Sequence, residues 1–191
     1  MNFTNPTIYL ITGDMYNDEK NFLELLKISL NKGIKLVQIR IKSLNRDRYK
    51  EVALQAVKLC KEYNATVLLS TYTDLINEVG ADGVHLPSIE LMKLNARPVS
   101  TRYLLSVACH NKEQVIHASN IGADFAVLCP VFATPSSPMG RPLGWKNFSS
   151  LVKFSKIPIY ALGGVTPEDI EVAKSHGAIG IAAIRSVWGR E

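Results

Sequence analysis

The run Gln38-Ile39-Arg40-Ile41-Lys42 sets three long polar side chains at alternate positions among isoleucines. In a strand, a period of two points all three to one side. Such a row is costly to desolvate unless it meets water or an anion. Arg40 then offers a planar fork, and Lys42 a point charge, for phosphate oxygens. A second set lies far along the chain, in Ala161-Leu162-Gly163-Gly164-Val165 and in Ala182-Ala183-Ile184-Arg185-Ser186. Glycine lacks a Cβ and lets a ligand come close to the backbone, and N–H groups at a helix start favour an anion. The two sets together describe a grip on a phosphorylated small molecule. His85 and His110, each at the end of an apolar run, have the chemistry to stack on such a ligand or exchange a proton with it.

These residues need elements to hold them. A junction recurs four times, in which an amphipathic stretch ends in glycine and an apolar run follows: at Gly33, Gly80, Gly122 and Gly177. Each reads as a helix capped by a left-handed glycine and followed by a buried parallel strand. Successive copies lie about 40 to 55 residues apart, enough for two βα units per interval. On that ruler strands fall at 8–12, 36–39, 66–70, 83–86, 104–109, 125–128, 158–162 and 179–184. Helical patterns fall at 19–30, 46–63, 112–121 and 167–174, the last opening with Thr166 as N-cap and Pro167 at the first helical position. Eight alternating units predict a closed (β/α)₈ TIM barrel, with an open doubly wound sheet as the alternative. Few residues follow the eighth strand, so the barrel is expected to be short, with a vestigial last helix. Its ligand site belongs at the C-terminal ends of the strands, which is where the polar residues concentrate.

Composition narrows the classes. The 191 residues, 47% hydrophobic and 20% charged, suit one globular domain over 1–191. No apolar run is long enough to span a bilayer, and the first residues are polar rather than leader-like, so a cytoplasmic protein with no membrane partner is expected. The net charge of +5 comes from scattered Lys and Arg with no basic, aromatic-rich run, which argues for a small anion over nucleic acid. Cys60, Cys109 and Cys129 show neither disulfide nor zinc spacing and read as buried thiols. The segment 129–145, rich in Pro, Ser and Gly, reads as a cover over the site.

Six motifs in order resemble the thiamine phosphate synthase/TenI superfamily. They are Gln-x-Arg-x-Lys at 38–42, Gly-Ala-Asp-Gly-Val-His-Leu at 80–86, Cys-His-Asn-Lys-Glu at 109–113, Gly-Ala-Asp at 122–124, Pro-Val-Phe-x-Thr at 130–134 and Ala-Leu-Gly-Gly-Val at 161–165. The resemblance implies a thiamine-biosynthesis barrel that binds thiazole phosphate. In the synthase branch, a pyrimidine pyrophosphate ionises with Mg²⁺ help and the thiazole nitrogen captures the carbocation. Carried over, Gln38 would contact the pyrimidine, Arg40 and Lys42 the pyrophosphate, and Gly164, Ile184 and Arg185 the thiazole phosphate, with Gly163 among the substrate-binding residues. Ser70, Thr134 and Ser136 would complete the substrate-binding set, and Lys42, His85 and His110 are the catalytic candidates.

The chain also departs from the synthase pattern. Ser70-Thr71-Tyr72 stands where Asn-Asp-Arg is usual, and Pro87-Ser88-Ile89-Glu90 stands for Gly-Gln-x-Asp, which leaves Glu90 as a displaced metal ligand. The synthase lysine after Phe-x-Thr is replaced in the neighbourhood of Ser136 and Ser137. The TenI branch isomerises a thiazole phosphate without magnesium, but its histidine before Val-Phe is here Pro130. Leu143-Gly144-Trp145 resembles a third branch, the TenI-like modules fused behind Nudix hydrolase domains. The expected activity is a synthase-like transferase, with a thiazole tautomerase and a non-catalytic phosphate-ligand sensor as alternatives. A homodimer and a functional link to a Nudix hydrolase are the partners the resemblance leaves open.

Overall fold

The structure, a computed structural model, describes residues 5–15, 18–134 and 141–188. Eight parallel strands close into a barrel in chain order. The first half runs β1 (Ile8–Ile11), α1 (Glu19–Asn31), β2 (Leu36–Ile39), α2 (Arg46–Glu62), β3 (Thr66–Ser70), α3 (Ile76–Val79), β4 (Gly83–Leu86) and α4 (Ser88–Leu91). The second half runs β5 (Leu104–Cys109), α5 (Lys112–Asn120), β6 (Phe125–Leu128), α6 (Gly144–Val152), β7 (Ile159–Leu162), α7 (Ile170–Ser175) and β8 (Gly180–Ala183). A 3₁₀ turn, Pro167–Asp169, leads into α7. Pairing of β1 with β8, Ile8 opposite Ile181 and Leu10 opposite Ala183, closes the ring.

Local chemistry explains the boundaries. The side chains of Asp18, Asn45 and Asn111 accept the backbone N–H groups of Lys20, Arg48 and Gln114, so α1, α2 and α5 each start on an Asx cap. The four junction glycines have φ of +85°, +70°, +72° and +92°, the left-handed geometry expected of them. The aspartates that follow two of them are structural. The Asp82 carboxylate accepts the N–H of Val67 at 2.8 Å, and the Asp124 carboxylate accepts the N–H of Leu105 at 2.7 Å. Each ties the start of a strand to its neighbour at the end of the barrel away from the site. The repeated Gly-Ala-Asp therefore carries stability rather than chemistry.

Two apolar layers form. Between strands and helices lies the larger core, with Phe22, Leu26, Val52, Val57 and Phe148 buried on its helical side. Inside the barrel, Tyr9, Phe125 and Tyr160 pack with ring centroids 5.5 to 5.7 Å apart, joined by Leu36, Leu68 and Val127. This plug makes the barrel a filled core rather than a pore. After β8 the chain makes one turn, the N–H of Trp188 bonding to the carbonyl of Ile184 at 2.8 Å. The Trp188 ring packs on Phe22 at 5.1 Å, closing the seam between β8 and α1. Among the described residues no helix is long and apolar enough to cross a membrane.

Candidate functional site

A cavity of about 1120 Å³ opens at the C-terminal ends of the strands, above the aromatic plug. Gln38, Arg40, Lys42, Ser70, His85, His110, Thr134, Gly163, Gly164, Ile184 and Arg185 all line it. The alternation read from the sequence thus turns Gln38, Arg40 and Lys42 to the mouth, and the loops after β7 and β8 face the same space. Of the remaining candidates, Ser136 lies outside the described residues. Glu90 does not line the cavity, and its carboxylate pairs with Lys93 at 2.8 Å.

On one wall the loop after β7 is held by close backbone contact. Gly163 and Gly164 have φ of +103° and +69°, and a Cβ on either would come within 2.7 Å of Pro130 or Phe132. The segment after β6 runs alongside, with the N–H groups of Val131 and Phe132 bonded to the carbonyls of Leu162 and Gly163 at 2.8 and 2.9 Å. The described start of the expected cover is therefore part of the wall. The N–H groups of Gly164, Arg185 and Ser186 have no hydrogen-bond partner among the described residues. Buried backbone donors seldom go unpaired, and donors bordering a cavity are free for solvent or ligand.

Side chains make the facing wall. The N–H of Arg40 donates to Thr12 Oγ1 at 2.9 Å, and that hydroxyl donates back to the Arg40 carbonyl at 3.3 Å, fixing the end of β2 against β1. Tyr49 reaches in from α2: its hydroxyl donates to the Ile39 carbonyl at 2.7 Å and accepts the Ser70 N–H at 3.0 Å. Its ring packs on Tyr72 at 4.7 Å. Arg40, Lys42 and Arg185 form no salt bridge among the described residues, so three cations face the opening without a counter-charge.

The two histidines differ. His85 is buried on the cavity floor with Nδ1 2.9 Å from Ser106 Oγ, and burial, followed by the Arg40 charge, pushes its pKa down to about 3. It is neutral at physiological pH, which removes it as an acid and leaves it a polar floor group. His110 is exposed at the rim, with Nδ1 2.8 Å from the Cys129 carbonyl. A carbonyl only accepts, so Nδ1 is the donor in this contact and the neutral ring presents Nε2 as an acceptor.

Magnesium finds little to hold it. Among the described residues no Asp or Glu lines the cavity, and no cluster of three His, Cys, Asp or Glu has metal-binding geometry. A hard divalent cation prefers carboxylate oxygen, so these residues do not fit it.

Tyr49 and Tyr72 line the cavity and Thr12 braces its wall from behind, although none of the three is a candidate site residue from the sequence. Tyr49 sits on the buried stripe of α2 and reads as core, while Tyr72 lies at the strand end that identifies Ser70 and was legible by position.

A family model described as thiamine monophosphate synthase matches residues 8–187. A putative thiamine-phosphate synthase 2 from Aquifex aeolicus is 39% identical over 180 residues, 94% of this chain and 96% of that protein. The thiamine-phosphate synthase of Caldicellulosiruptor bescii is 33% identical, over 99% of this chain and 87% of its own length. Among solved structures, a thiamine phosphate pyrophosphorylase from Pyrococcus furiosus superposes with a TM-score of 0.79 at 25% identity, covering 97% of this chain and 88% of that one. By fold, by the order of its motifs and by these relatives, the chain belongs to the thiamine monophosphate synthase family.

Proposed function

We propose that the cavity binds thiazole phosphate and that the chain acts as a thiamine phosphate synthase-like transferase. One observation carries the reading: free backbone donors after β7 and β8 and the cations of β2 face a single opening. The thiazole phosphate would lie against Gly163, Gly164, Ile184 and Arg185, with Thr134 from the segment after β6 beside it. Gln38 would orient the pyrimidine, helped by Tyr9, whose hydroxyl lies 3.4 Å from Gln38 Oε1. The C–O bond to pyrophosphate breaks with its electron pair leaving on oxygen, and the thiazole nitrogen lone pair forms the new C–N bond. Arg40 and Lys42 would stabilise the departing charge, which grows toward the transition state and so accelerates the step.

A second reading, thiazole tautomerase, is favoured by the Nε2 lone pair of His110 at the rim. A base there takes a proton from one ring position and returns it to another.

Purified protein mixed with thiazole phosphate and pyrimidine pyrophosphate distinguishes these readings. Thiamine phosphate above the uncatalysed background is expected, and its absence rejects the transferase. Interconversion of the thiazole tautomers, lost in His110→Ala, would identify the isomerase instead. Calorimetric binding without either turnover would leave a sensor.

A further inference from the structure

The rim of the barrel is not short of carboxylates, yet four of those described there are engaged with other groups. Asp14 accepts the Ser43 hydroxyl at 2.8 Å, Asp74 pairs with Arg46, Glu90 pairs with Lys93, and the Asp169 carboxylate accepts the Thr166 N–H at 2.9 Å. None of the four lines the cavity. Where the loops after β3 and β4 reach the mouth they contribute Thr71, Tyr72 and Pro87, an aromatic and apolar surface backed by Tyr49.

Mg²⁺ is normally held by one or two carboxylates together with substrate phosphates. Among the described lining residues it would meet no carboxylate and three cations, so bringing a dication into the cavity adds repulsion in a partly desolvated space. A free phosphate or pyrophosphate carries more negative charge than its magnesium complex and suits the same cations better.

We infer that the cavity takes its phosphate-bearing ligand without a divalent cation, Arg40, Lys42 and Arg185 supplying the positive charge. The inference rests on the phosphate-binding reading above and deepens it: the ligand is a metal-free phosphate or pyrophosphate ester whose uncharged part lies against Tyr72.

Titration calorimetry on the whole chain tests this with two probes, inorganic pyrophosphate and thiazole phosphate, each in chelator and in excess Mg²⁺. Pyrophosphate should bind in chelator, with equal or weaker binding in Mg²⁺, and Arg40→Gln should lower its affinity by about tenfold or more, the scale of a lost charged hydrogen bond. Tighter pyrophosphate binding in Mg²⁺, no pyrophosphate binding in chelator, or an unchanged affinity in Arg40→Gln would each overturn the inference. Failure of thiazole phosphate to bind in either buffer would instead sink the proposed ligand and leave the pyrophosphate result to judge the metal question separately.

Discussion

The two walls of the cavity are made of different material. On the β6 to β8 side the cavity-facing surface is largely backbone, brought close by Gly163 and Gly164 and braced by the segment after β6, with Arg185 as its one described cation. On the β2 to β4 side it is side chain: Arg40, Lys42, Tyr49 and Tyr72, standing on strand ends tied by Thr12 and the Tyr49 hydroxyl. A backbone wall is set by steric fit and tolerates no added atom. A side-chain wall is set by rotamer and charge, so its chemistry can change while the barrel stays intact. Of the departures from the synthase pattern that the resemblance brings out, Ser70-Thr71-Tyr72 and 87–90 follow β3 and β4 on the second side and the lost lysine near Ser136 follows β6, while Gly163 and Gly164 match the pattern.

The contrast is most exposed at Gly163. A methyl group there would sit 2.7 Å from Pro130 Cα with φ at +103°, so Gly163→Ala should lose about 2 to 4 kcal/mol of stability. Denaturant unfolding measures this, and a loss within error of zero would show that the backbone wall is not sterically set. Arg40→Ala should leave the unfolding midpoint nearly unchanged while weakening thiazole phosphate binding by about 1.5 to 3 kcal/mol. Equal affinities in calorimetry would remove Arg40 from the side-chain wall.

His85 links the walls through the floor, and its pKa of about 3 makes it a pH sensor of folding. The unfolded chain protonates this imidazole near pH 6.5, but the folded chain does not until about pH 3. The unfolded state therefore binds more protons in that window. Stability should fall as pH drops below 6.5, by at most about 1.4 kcal/mol per pH unit from this group, and be indifferent to it above. Urea midpoints of wild type and His85→Gln should diverge on acidification; parallel curves would place His85 in contact with water. The smallest effect is expected at Thr71, a β-branched residue at φ +73°. Thr71→Asn should stabilise by about 0.5 to 1 kcal/mol, because Asn adopts that backbone more readily, and a destabilised variant would mean the threonine side chain carries an offsetting interaction.

Sequence patterns located the strands closely. The predicted 66–70 and 104–109 coincide with β3 (Thr66–Ser70) and β5 (Leu104–Cys109), since short apolar runs at the expected spacing between the glycine-capped junctions admit few other readings. The last helical pattern, 167–174, divides into the 3₁₀ turn and α7, because Thr166 and Asp169 bond across the first turn and tighten it. The histidines looked alike in sequence. Only packing separated them, by burying His85 against Ser106 and leaving His110 on the rim.

What the chain determines by itself is periodicity and conformational permission: which residues alternate toward one side of a strand, where glycine allows a left-handed turn, and hence a barrel with Arg40 and Gly164 at the same end. Tertiary structure decided the rest: that the Gly-Ala-Asp aspartates bond at the opposite end, that Glu90 pairs with Lys93 outside the cavity, and that Tyr49 closes one wall. The physical reason is range. Backbone preference acts over a few neighbouring residues and is written locally, whereas burial and charge pairing depend on groups that only closure of the ring brings together.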